Sequence, residues 1–186
     1  MVFVFEIDKA IAATAFLLQK QAGELDMYLG LKMLYIADKE ALIRWGKTIT
    51  GDKFVAMPKG PVLSEIYDLF KGSDRKGDHQ ARWDSVFSQK VNNSIHRLRE
   101  VEIEILSERE MEVLEFARKE VNGCAPWEVG RWLHEVCPEW QDPKGSSKTI
   151  SPEVILRNAG RAEAEIKRIE SSNALVHQVR QLLDIR

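Results

Sequence analysis

The sequence predicts a mainly α-helical, compact domain that carries one or two small β-hairpins. Three observations predict it. Apolar residues recur at three- and four-residue spacing through most of the 186 residues. Helix start and stop residues flank those runs. Strand-like stretches, marked by a turn signal or by period-two alternation, fall in two short windows, around residues 48–62 and 83–105.

The elements follow in chain order. Residues 8–22, with Ile11, Ala15 and Leu18 on one face, read as a helix capped by Asp8 and stopped by Gly23. Residues 26–45 repeat the pattern through Leu31, Leu34, Tyr35, Asp38, Leu42 and Trp45, with Asp26 as cap, so the two helices form a hairpin. The stretch TITGDKFVAMPKGPV at 48–62 is dense in punctuation. Thr48–Thr50 and Lys53–Val55 read as two β-arms around a Gly51-Asp52 turn. Met57–Pro61 reads as a second turn, with Pro61 as the first residue of a short helix ending at Gly72. Residues 71–82 read as an exposed polar loop. Asn92-Asn93 tolerate positive φ between two arms of a small hairpin, and Val101, Ile103 and Ile105 alternate with glutamates as in a strand. Ser107 and Glu110 form a capping box for the next helix, which Asn122-Gly123 closes. Pro126 opens a helix that Pro138 ends. After a loop at 141–149, Ser151-Pro152 starts a short helix to about 158. A long amphipathic helix then carries Ile166, Ile169, Val176, Val179 and Leu183 near one stripe, the expectation being that it packs back on its own core.

Composition narrows the function. Apolar residues at 44% and charged residues at 30% are ordinary for a globular chain. With 27 basic and 29 acidic residues the net charge is −2, which argues against a nucleic-acid partner. No run approaches the ~18 apolar residues of a membrane span. Cys124 and Cys137 are too few for a disulfide framework, so the expected setting is cytoplasmic. The chain reads as one domain over 1–186, with its motifs at about 26–140 and a helical extension from about 150.

Those motifs carry a resemblance. Lys32, Leu34, Tyr35, Ala37 and Asp38 lie on one helix. Ile49, Thr50 and Gly51, then Phe54, Ala56, Gly60, Pro61 and Val62, then Ile66, Tyr67 and Asp68, follow in order. This series resembles the Panacea domain, the SocA-like or GepA-like phage-associated family, departing at Thr48, where that family often has proline. Leu133, His134 and Trp140 are similar to its later histidine-and-tryptophan segment. The resemblance implies a non-enzymatic antitoxin of a bacterial or prophage toxin–antitoxin pair, which neutralises a toxin by direct contact. It also implies an adaptor to a ClpXP-type protease as an alternative, and leaves a homodimer open. The partner-binding candidates it marks are Lys32, Tyr35, Asp38, Gly51, Phe54, Gly60, Pro61, Val62, Tyr67, Asp68, His134 and Trp140.

Residue chemistry gives two rivals. His134 with Asp38 or a cysteine is the raw material of a hydrolase, provided the fold brings them together. A DNA-binding regulator needs a basic face, and Lys71, Arg75 and Lys76 are offset by Asp74 and Asp78. The cysteines, 13 apart with His134 between them, lack the close pairing of a zinc site, and there is no phosphate loop. No cofactor or metal is expected. Asp38 is positioned to accept hydrogen bonds from the β-arm backbone, and Trp127, Trp132 and Trp140 are candidate interface anchors.

Overall fold

A computed structural model describes residues 1–72 and 77–182. Among the described residues the chain runs α1 (Ile7–Lys20), β1 (Glu24–Asp26), α2 (Met27–Trp45), β2 (Phe54–Met57), β3 (Gly60–Leu63), α3 (Ser64–Lys71), α4 (Asp78–Asp84), β4 (Ser94–His96), α5 (Glu108–Asn122), α6 (Val129–Val136), β5 (Lys148–Thr149), α7 (Pro152–Asn158) and α8 (Glu163–Leu182). The fold is mainly α, with two small antiparallel sheets. Asp74, Arg75, Lys76 and Leu183 lie outside the described residues.

Helix α2 is the centre of the core. The sequence marks one apolar face, yet residues 30–39 are buried without a break. A helix covered on every side belongs inside a domain. Here α1, α5, α7 and β3 supply the cover. Asp26 caps α2 as expected, its Oδ1 accepting from Leu29 N–H at 2.9 Å. Gly46 ends it in the left-handed conformation, φ 74°. Three polar residues of α2 are buried with the rest: Lys32, Asp38 and Lys39. Burial of such groups demands partners, and those partners organise the rest of the fold.

The first partner corrects the reading of residues 48–55. Thr48–Thr50 is not a β-arm. Asp38 Oδ1 accepts from the Ile49 and Thr50 amides at 2.9 and 3.1 Å, and its Oδ2 accepts from the Thr50 hydroxyl. Folding the chain onto a buried carboxylate uses the donors that a strand would offer to a neighbour. Gly51 follows at φ 71°, where a Cβ would lie 1.9 Å from Val4 O. Asp52 then turns back: its carboxylate accepts from Glu65 and Ile66 amides at 3.0 and 2.9 Å, capping α3 from 12 residues upstream of that helix's first residue. Residues 38 and 48–52 thus form a knot that joins α2, the N-terminal segment and α3.

The hairpin lies one step further on. Strands β2 and β3 pair antiparallel with Met57 opposite Gly60 and Phe54 opposite Leu63, closed by Pro58-Lys59. Pro61 is therefore a strand residue, and α3 begins at Ser64. Proline is tolerated there because β3 is an edge strand, in the order β3-β2-β5, and needs no donor outward.

Other expectations shift by similar logic. Asp8 is not the α1 cap; it sits in the first turn and pairs with Arg82. Residues 78–82 belong to helix α4, with Trp83 packed between Phe70 and Phe87. The Asn92-Asn93 turn has positive φ at both residues, but β4 pairs chiefly with β1, a strand the sequence did not advertise. Val101–Ile105 keeps its alternation only partly, with Ile105 exposed, and forms no ladder. The Ser107–Glu110 capping box is present. Helix α6 begins at Val129, three residues after Pro126. Residues 148–149 add a third strand to β2. The first part of helix α8 packs back as expected, with Ile166 buried, Ile169 against Gly46 and Asn173 Nδ2 donating to Gly46 O at 3.0 Å, whereas Val176 and Val179 further along the expected stripe are exposed.

Candidate binding groove

The second buried polar group of α2, Lys32, faces the hairpin. Its Nζ donates to Pro61 O at 2.8 Å and sits 5.4 Å from the Tyr28 ring centroid. Gly60, at φ 100°, leaves room for it: a Cβ there would stand 3.2 Å from Nζ. Lys32 is 1% exposed, and burial lowers its pKa to about 7, because the charged form loses hydration. Among the described residues no carboxylate forms an ion pair with it.

The third group, Lys39, reaches the segment after α6. It donates to Val136 O at 2.6 Å and pairs with Glu139, whose other contact is the Tyr35 hydroxyl at 2.8 Å. Tyr35 packs edge-on against Phe54, centroids 5.5 Å apart, and burial and the adjacent carboxylate hold its phenol well above the usual range. Trp140 Nε1 donates to Met57 O at 2.9 Å, and His134 stacks on the Trp140 ring at 4.0 Å. These contacts fasten α6 to the hairpin and hold both against α2.

Between them opens a cavity of about 970 Å³. Tyr28, Leu31 and Lys32 form its floor, Met57–Gly60, Val62 and Tyr67 one wall, and Pro126, Trp127, Gly130, Arg131 and His134 the other. Lys59, Lys71, Lys90 and Arg131 also line it, and among the described residues no aspartate or glutamate does. Trp127 is 84% exposed at its edge.

The sequence-marked residues divide. Lys32, Gly60, Val62, Tyr67 and His134 line the groove, with Pro61 and Trp140 directly behind it. Tyr35, Asp38, Gly51 and Phe54 belong to the interior and the knot. Asp68 lines a smaller, separate pocket beside Phe5 and His79. The groups of the hydrolase reading are not brought together: neither Asp38 nor either cysteine lines the cavity that His134 lines. Burial pushes Asp38 up to about 7 and the Cys137 thiol up to about 12, and Cys124 is also raised, above all by burial; a nucleophilic thiol needs the opposite shift. Among the described residues no group of three or more His, Cys, Asp or Glu side chains is arranged to hold a metal ion. No helix there is long and apolar enough to cross a membrane.

Sequence reading missed Asp52, Thr50, Tyr28, Glu139 and the cations Lys59, Lys90 and Arg131. One signal pointed to Asp52: helix α3 has Leu63 at its N-cap and no cap of its own, which calls for a remote acceptor.

Fold and groove together define a mainly helical domain with a basic and aromatic concave surface. Residues 31–141 match the family described as antitoxin SocA-like, Panacea domain, and the chain belongs to that family. No curated protein and no solved structure matches it.

Proposed function

We propose that this protein is an antitoxin that neutralises a cognate toxin by direct protein contact, acting as one domain and without catalysis. What carries the reading is the family match over 31–141, which covers most of α2, the hairpin and α6, the elements around the groove. Neutralisation by occlusion needs a pre-formed surface with aromatic anchors and charged groups that choose the partner, and the groove has both kinds of residue. Handing the toxin to a ClpXP-type protease is a variant of the same contact and differs in outcome, because toxin abundance then falls.

The test is co-expression with the product of the neighbouring gene in bacteria. Growth rescue with a co-purifying complex and unchanged toxin abundance is the expected result. Rescue with toxin loss that depends on the protease turns the mechanism to the adaptor. A toxic neighbour that is neither rescued nor bound sinks the proposal.

A further inference from the structure

The groove has a one-sided chemistry that the family assignment does not address. The whole chain is slightly acidic, at −2. The groove lining nonetheless contains Lys32, Lys59, Lys71, Lys90 and Arg131 with no carboxylate among its 18 described residues. Its remaining surface is largely apolar or aromatic, including Met27, Leu31, Val62 and Trp127. Such a surface complements a ligand that presents carboxylates around an apolar anchor.

We infer that the groove is the toxin-docking site and that it takes an acidic segment of the toxin, with an aromatic or aliphatic side chain packed on Trp127 and Tyr28 and carboxylates on Lys32, Lys59 and Arg131. The inference rests on the antitoxin reading above. Three observations favour this occupant. The Lys32 amine is buried with a single hydrogen bond and, among the described residues, no paired carboxylate, so an incoming carboxylate favours its charged form and satisfies donors that water reaches poorly. Trp127 leaves 84% of its surface to solvent beside Pro126, an anchor without a pocket of its own until a partner covers it. The outer strand β3 is buried along all four residues, and its Pro61 carbonyl already accepts from Lys32. Strand addition to that edge is therefore closed, and the segment enters as a helix or loop laid across the groove. Nucleic acid fits less well: the cations share the lining with many apolar residues, and the overall charge repels a polyanion.

The experiment uses the full-length protein and the product of the neighbouring gene. Lys59, Trp127 and Arg131 are exposed, so changing them leaves the core untouched. Binding is measured by calorimetry for wild type, for Lys59→Glu/Arg131→Glu, for Trp127→Ala and for Lys167→Glu, an exposed charge on α8 away from the groove. The inference expects the double reversal to weaken binding by about 100-fold and the tryptophan change by about 10-fold or more, with Lys167→Glu unchanged. It also expects a carboxylate-to-lysine change in the toxin to recover part of the loss in the reversed variant. Thermal melts within a degree or two of wild type confirm that the variants are folded.

If wild type binds and rescues while both groove variants do so equally well, the groove is not the docking site and the antitoxin reading survives. If wild type neither binds nor rescues, both fall. If wild type instead binds a duplex oligonucleotide with steep salt dependence, lost in the double reversal, the cations serve nucleic acid and the acidic-segment inference is overturned.

Discussion

Removal of the Asp38 side chain tests the knot on which the hairpin hangs. Asp38→Ala strips the acceptor from three buried donors: the Ile49 amide, the Thr50 amide and the Thr50 hydroxyl. A buried donor left without a partner costs about 1–3 kcal/mol. Some relaxation is available, so the sum is about 3–6 kcal/mol, a large share of the ~5–15 kcal/mol that holds a domain. Asp38→Asn keeps an oxygen for the two amides, and its amide can donate to the Thr50 hydroxyl, so it costs about 1 kcal/mol or less. That near-neutrality follows from the protonation state. Burial outweighs the hydrogen bonds that favour the carboxylate and raises Asp38 to about 7, so near neutral pH the folded group is partly an uncharged acid, which Asn resembles. The assay is urea unfolding followed by circular dichroism. With a slope of ~1–3 kcal/mol/M, the alanine variant's midpoint moves down by one molar or more, and failure to fold counts in the same direction. A loss below about 1 kcal/mol in Asp38→Ala, or equal losses in the two variants, would refute the argument.

Further outcomes follow from the same geometry. Stability should depend on pH through Asp38: the unfolded carboxyl titrates near 3.8 and the folded one near 7, so folding takes up a proton between them and its contribution, fully present below 3.8, is lost as pH rises through 7. Asp52, raised to about 6 chiefly by burial, acts in the same direction. Melting temperature should fall from pH 4.5 to 7 in wild type and fall less in Asp38→Asn; parallel profiles would exclude Asp38 as the source. Gly51→Ala should cost about 3 kcal/mol or more, because φ is 71° and the new Cβ meets a backbone oxygen at 1.9 Å. Gly46→Ala, at φ 74° and 2.9 Å from a movable Ile169 methylene, should cost about half as much; denaturant midpoints rank the two. Lys32→Met should leave stability within about 1 kcal/mol of wild type or raise it, since a buried ammonium is exchanged for an apolar side chain of similar length, yet lower toxin affinity about 10-fold by calorimetry.

How much of this was legible depends on where each signal lives. Helices α2, α5 and α7 were readable because their caps are local: Asp26, the Ser107–Glu110 box and Pro152 lie within a turn of the helices they start. The hairpin was placed one step too early because Thr48–Val55 has strand composition, while the residue that decides its path, Asp38, lies 11 positions upstream of Ile49. The cap of α3 was missed for the same reason, being 12 residues before the helix. The family motif marked both regions but could not separate them. Asp38 and Gly51 build the knot, whereas Lys32, Gly60 and His134 line the groove. The cations Lys59, Lys90 and Arg131 come from three different parts of the chain, so no local window shows that they share a surface without carboxylates.

Lys32 is the point at which these two sets meet, and its chemistry argues that the groove is more than a by-product of packing. It sits on α2, six residues before Asp38, inside a helix buried on every side. For stability alone a methionine fills that place without the cost of dehydrating an ammonium. Retaining the charge makes sense where something gains from it. The Pro61 carbonyl, on a strand buried along all four residues, gains one hydrogen bond, and Gly60, whose missing Cβ admits Nζ, adds a second concession to the same contact. Two unfavourable choices converge on one buried amine at the floor of a groove whose described lining has four more Lys and Arg side chains and no acid. A structural role accounts for the hydrogen bond but not for the surrounding charge. An anionic partner accounts for both, and it does so with the same residues that the hairpin, through Asp38 and its knot, holds in place.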